Sequence, residues 1–122
     1  MGNSILGIGQ IAIPVKNRDR AKSFYQDQLG LTHLFTAGDL VFFKCGETRI
    51  LLTLDQTSRS SILYFNVEDI HKAFDNMKNN QVEFIQMPHL VAKMGNVETW
   101  MAFFNDSEEN TLAIMSEFQS KS

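Results

Sequence analysis

Gln10-Ile11-Ala12-Ile13-Pro14-Val15 and Ile62-Leu63-Tyr64-Phe65-Asn66-Val67 decide how this chain folds. Each is a short apolar run with strand character, and each leads directly into a pattern of helical period. After the first run, Asn17 is a candidate N-cap and Asp19 suits the positive end of a helix dipole. Ala21, Phe24, Tyr25 and Gln28 then recur at helical spacing, and Gly30 stands where a helix closes in a left-handed residue. After the second run, Asp69 is the candidate cap. Ile70, Ala73, Phe74 and Met77 form one apolar stripe, and Asn79-Asn80 end it. A shift of 52 residues lays Val15 on Val67, Ala21 on Ala73 and Gln10 on Ile62.

Strand material follows each helix. The first set is about Leu31–Thr36, Leu40–Cys45 and Thr48–Leu54, with turn signals at Ala37-Gly38-Asp39 and Gly46-Glu47. The second is about Val82–Gln86, Thr99–Asn105 and Thr111–Ser116, the last two separated by the polar turn Asp106-Ser107-Glu108-Glu109-Asn110. Each half thus reads strand, helix, strand, strand, strand. Half of a 122-residue chain cannot bury both faces of its own sheet. The expected fold class is therefore α+β: two βαβββ modules, about 5–55 and about 60–117, forming one curved eight-stranded sheet with an open concave cleft. The competing reading is a chance repeat inside another α+β fold.

Composition narrows the function. The length suits one domain, and a hydrophobic fraction of 43% with ten Phe supports a packed core. Eleven basic against fourteen acidic residues give a net charge of −3, which argues against a nucleic-acid binder. One cysteine, Cys45, rules out an internal disulfide and a cysteine-rich zinc site; it reads as a small buried hydrophobe. No apolar run is long enough to span a bilayer and no signal segment opens the chain, so a cytoplasmic protein without a membrane partner is expected.

The runs quoted above carry a resemblance. Gln10-Ile-Ala-Ile-Pro-Val, Arg20-Ala21-Lys22-Ser23-Phe24-Tyr25 and Leu29-Gly30-Leu31 resemble the opening of the vicinal oxygen chelate superfamily. That superfamily groups glyoxalase I, bleomycin-resistance proteins, fosfomycin-resistance enzymes, methylmalonyl-CoA epimerase and extradiol dioxygenases. Phe103-Phe104-Asn105-Asp106-Ser107-Glu108-Glu109-Asn110-Thr111-Leu112 resembles its closing hairpin, with the usual Asp-Pro-Asp-Gly-Asn turn altered to Asp-Ser-Glu-Glu-Asn. The resemblance covers nearly the whole chain and implies βαβββ modules and a homodimer.

It also implies four positions for a divalent metal, whose His, Gln and Glu ligands leave sites open for substrate oxygens. The first falls on Gln10, whose amide oxygen is a weak donor. The second falls on Ile62, the third within Leu51-Leu52-Thr53 and the last on Ala113. No register slip of one or two residues brings a His or carboxylate to Ile62 or Ala113. The expectation is that the metal site is absent and that the protein needs no cofactor.

An apolar floor then replaces the metal. Ala12, Tyr64 and Asn66 share strand parity with Gln10 and Ile62, so Gln10, Tyr64 and Asn66 are the polar groups expected to orient a ligand. Trp100, with Phe42 or Phe43, offers an aromatic wall, while Phe24, Tyr25 and Phe74 are assigned to helix–sheet packing. His89 completes the candidate set, in an expected loop Met87–Gly95 long enough to fold over a cleft. His33 reads as part of an edge strand and His71 as the polar side of a helix. Ser58, Ser60 and Ser61 lack the glycine-flanked elbow of a nucleophile, and Gly7-Ile8-Gly9 opens no helix and is no phosphate loop. The expected function is the binding or sequestration of a small, partly apolar or aromatic compound. The alternative is a metal-dependent lyase, epimerase or dioxygenase of the glyoxalase type with an unusual ligand set.

Overall fold

The computed structural model describes residues 5–55 and 60–120; Ser58 lies outside them. Among the described residues, eight strands and two α-helices follow the expected order: β1 (Ile5–Val15), α1 (Arg18–Ser23), β2 (Thr32–Ala37), β3 (Leu40–Cys45), β4 (Thr48–Leu54), β5 (Ile62–Val67), α2 (Ile70–Asn79), β6 (Glu83–Met94), β7 (Val97–Asn105) and β8 (Thr111–Gln119). The fold class is α+β, with the βαβββ order twice. Contacts divide the chain into two units, 9–63 and 64–120, and residues 5–8 of β1 go with the second.

In the first unit the strand order is β2-β3-β4-β1. β1 and β4 are parallel, with Gln10 opposite Arg49, Ala12 opposite Leu51 and Pro14 opposite Thr53. β3 is antiparallel to both β4 and β2. One face of this sheet packs on α1. Val41, Phe43 and Leu52 are fully buried there, with Ile13, Val15, Ile50, Ala21 and Tyr25 around them.

Asn17 caps α1 as expected, its side chain accepting the Arg20 N–H at 2.9 Å. The helix does not continue regularly to Gln28. Phe24–Gln28 form a π-helical turn in which the Leu29 N–H donates to the Phe24 carbonyl at 3.0 Å. The wider turn brings Tyr25, rather than Phe24, into line with Ala21. Tyr25 packs on Phe43 with centroids 6.0 Å apart, while Phe24 stays 44% exposed. The assignment of Phe24 to the core is therefore corrected. Gly30 closes the segment at φ 75°.

The second unit repeats the plan, with strand order β5-β8-β7-β6. β5 and β8 are parallel, with Tyr64 opposite Ala113 and Asn66 opposite Met115. The Asp69 carboxylate accepts the N–H groups of His71 and Lys72, both at 3.1 Å, and so starts α2 where the sequence places it. Ile70, Ala73 and Met77 bury against Val67, Ala102, Phe104 and Ile114. Complete burial of a side chain such as Ile70 or Ile114 contributes roughly 1.5–3 kcal/mol, so this stripe holds the helix on its sheet.

Two expectations change. The expected loop Met87–Gly95 is mostly strand: residues 87–94 are most of β6, which pairs with β7 from Glu83↔Asn105 to Met94↔Val97, and Gly95 begins the turn. Three register shifts break its alternation, and Pro88, which has no N–H to give a ladder, sits within the second of them, between Gln86 and His89, on a strand at the end of the strand order. Cys45, at the end of β3 before the Gly46 turn, is exposed rather than buried.

Candidate functional site

Strand alternation separates each sheet into a helix-packed face and an opposite face. In the first unit the opposite face holds three cross-strand rows: Gln10–Arg49–Lys44, Ala12–Leu51–Phe42–Phe35, and Pro14–Thr53–Leu40–Ala37. Gln10 is only 1% exposed. Its Oε1 accepts from the Arg49 Nε–H at 2.9 Å, a bond from a cation to a buried amide. The Arg49 guanidinium also lies over the Phe42 ring, 5.3 Å from its centroid. Phe42 stacks on Phe35 with centroids 4.3 Å apart and planes at 22°. Phe43, the other candidate wall residue, is fully buried against α1 and lies on the wrong face.

Arg49 is the residue that sequence reasoning passed over. The signal was a charge directly before the apolar run Ile50-Leu51-Leu52, at the same parity as Leu51. Only the parallel β1–β4 register brings it to Gln10.

In the second unit the opposite face carries Tyr64–Ala113–Phe103 in one row and Asn66–Met115–Met101–His89 in the next. Tyr64 meets Phe103 edge-on, with centroids 5.8 Å apart, and His89 stacks on Phe103 at 6.3 Å. Burial pushes the Tyr64 phenol above its ordinary pKa, so it stays protonated and able to donate. The His89 Nδ1–H donates to the Met87 carbonyl at 2.8 Å, which fixes the neutral ring as the tautomer with Nε2 as acceptor. The structure thus brings Tyr64, Asn66 and His89 onto one face. His89 is held there by a strand rather than a loop.

Trp100 is not with them. It shares parity with Ala102 and Phe104 and packs against the α2 core, its ring 5.1 Å from that of His71. Its indole N–H donates to Glu98 at 2.9 Å. The expectation that Trp100 lines the same surface as Tyr64 is corrected for that reason. The His33 ring meets Phe43 edge-on and contacts the Thr36 hydroxyl at 2.8 Å. A shallow cavity of about 470 Å³ opens in the first unit beside α1, lined by Lys16, Arg20, Phe24 and Tyr25 among others; it is on the helix side and not on the Gln10 face.

Among the described residues, no three His, Cys, Asp or Glu side chains come together as a metal-holding group. At the four positions implied by the resemblance, Ile62 and Ala113 have no donor atom, and the oxygen of Gln10 accepts from a guanidinium. Among the described residues, no helix is long and apolar enough to cross a membrane.

A family model described as the Glyoxalase/Bleomycin resistance protein/Dioxygenase superfamily matches residues 7–114. Solved structures match in fold. A superfamily member from Vibrio splendidus is 10% identical with a TM-score of 0.70, over 88% of this chain and 96% of that one. Methylmalonyl-CoA epimerase from Mycobacterium tuberculosis is 16% identical with a TM-score of 0.68, over 93% and 89%. The Mn(II)-bound glyoxalase from Novosphingobium aromaticivorans is 15% identical with a TM-score of 0.75, over 98% of this chain but only 42% of its own. Such identities speak to fold alone. None of the curated proteins matches the sequence.

Proposed function

Since the chain belongs to the glyoxalase/bleomycin resistance protein/dioxygenase superfamily, we propose that it is a member that has given up the metal and binds a small, partly apolar or aromatic molecule directly on the sheet faces opposite its helices. The observation that carries this reading is the Arg49–Gln10 hydrogen bond. A fixed positive charge beside Gln10 repels a divalent cation, and Ile62 and Ala113 offer no side-chain lone pair. The donor set therefore does not fit the metal that the resemblance implies, and no step is routed through one.

In place of a cation, the first unit supplies a guanidinium, a buried amide and two stacked rings. The second supplies the protonated Tyr64 phenol, Asn66 and the His89 imidazole on a floor of Ala113, Met115 and Phe103. An apolar floor with few, placed polar groups suits recognition more than chemistry. In this reading the protein works as a cytoplasmic homodimer without a cofactor.

The test is a thermal-shift screen with aromatic and apolar small molecules, since a ligand that binds only the folded state raises the melting temperature. A hit whose affinity falls about tenfold or more in Tyr64→Phe or Gln10→Ala supports the reading. Hits unaffected by both variants contradict it. A metal-dependent lyase, epimerase or dioxygenase would instead show itself as bound metal.

A further inference from the structure

We infer that the ligand class is a planar aromatic carboxylate, taken up on the Arg49–Phe42–Phe35 face of the first unit. The inference rests on the small-molecule reading above and names what that site selects.

Burial changes steadily across this face. Ala12 and Leu51 are 6% and 7% exposed, Phe42 is half-buried, and Phe35 is 39% exposed. The stacked pair is thus closed at one end by the apolar floor and open at the other. A flat ring is the shape such a pair extends onto, by offset or edge contact with Phe35. Charge is arranged along one side of that pair. Arg49 lies over Phe42, and Lys44 is its register partner on β3, so two cations border the rings in the next cross-strand row.

The Arg49 guanidinium is not a loose surface charge. Its Nε is pinned by the buried Gln10 amide, which fixes the plane of the fork before a ligand arrives. Ordering a free arginine costs side-chain entropy that this anchoring has already spent. A carboxylate in the plane of an aromatic ring accepts from guanidinium N–H groups, and a charge-assisted bond at a partly desolvated site is the strong kind. A neutral amide of the same shape keeps the stacking and loses the ion pairing. Selectivity for the anion is the consequence, in a protein whose net charge of −3 would otherwise repel it.

Titration calorimetry of the full chain with 2-naphthoate and with neutral 2-naphthamide tests this. The naphthoate is expected to bind about tenfold tighter or better, with a preference that weakens as salt rises. Arg49→Gln is expected to abolish the preference and Lys44→Gln to reduce it a few-fold. Phe35→Ala, at an exposed position, weakens both compounds alike. Equal affinity for the two compounds, or a preference that survives Arg49→Gln, overturns the inference and leaves the small-molecule reading standing. Should Arg49→Gln not fold, an unchanged preference in Lys44→Gln together with unchanged affinities in Phe35→Ala overturns it. Failure of both naphthyl compounds beside a confirmed neutral ligand overturns it as well. The underlying reading fails separately, on bound metal or on hits that neither Tyr64→Phe nor Gln10→Ala affects.

Discussion

Arg49 Nε and Gln10 Oε1 are 2.9 Å apart, on residues that face each other across the parallel pair β4 and β1. The geometry joins a charge to a side chain that is 1% exposed, so each depends on the other. Arg49→Met keeps an unbranched stem out to the position of Nε and removes the donor. The buried amide then lacks that partner, and the expected loss is about 1–3 kcal/mol in denaturant unfolding. A loss indistinguishable from zero would mean that the bond is not formed in solution.

The closing turn predicts a gain. Asp106 accepts the N–H groups of Glu108 and Asn110 through Oδ1, both at 2.8 Å, and the Asn110 side-chain amide through Oδ2 at 2.9 Å. These two ends of the turn are the ones retained from the family pattern. Glu109 stands at the position of the family's glycine and has φ 66°, a left-handed conformation that a side chain disfavours. Glu109→Gly is expected to raise stability by roughly 1 kcal/mol, read from the denaturation midpoint.

A buried hydroxyl predicts another. Ser116 Oγ is enclosed and has no hydrogen-bond partner among the described residues. Ser116→Ala removes the cost of desolvating it without removing a bond, and a gain of about 1 kcal/mol is expected. A loss of similar size would show that the hydroxyl is satisfied, for example by ordered water.

Tyr64 makes a prediction about alkaline pH. Burial raises its folded pKa above 10.0, the ordinary value, so the folded chain keeps a proton that the unfolded chain releases. Its contribution to stability is complete below the unfolded value and is lost as pH rises toward the folded one. Unfolding free energy should therefore fall above pH 10.0, and Tyr64→Phe should flatten that fall. An identical slope in the variant would contradict the burial of the phenol.

The parts of this fold that were legible in the sequence are those with local signals. Asn17 and Asp69 start helices because a short polar side chain reaches the first free N–H groups, and those residues announce themselves. The alternation of Gln10 with Ala12, and of Tyr64 with Asn66, places them away from the helix-packed cores as expected. Trp100 was not legible, because Trp100-Met101-Ala102-Phe103-Phe104 is apolar on both faces and offers no parity to read. β6 was hidden by its own bulges, which break the period-two pattern on either side of Pro88. Arg49 was hidden for a different reason: its role depends on the register between β1 and β4, 39 residues apart along the chain.

Metal content tests the central claim most directly. Untagged protein, purified without chelator and incubated with Mn²⁺, Fe²⁺, Ni²⁺ or Zn²⁺, should leave gel filtration with far less than one ion per chain and an unshifted melting temperature. One equivalent of any of these ions, retained by the native chain and lost in Gln10→Ala, would contradict the account.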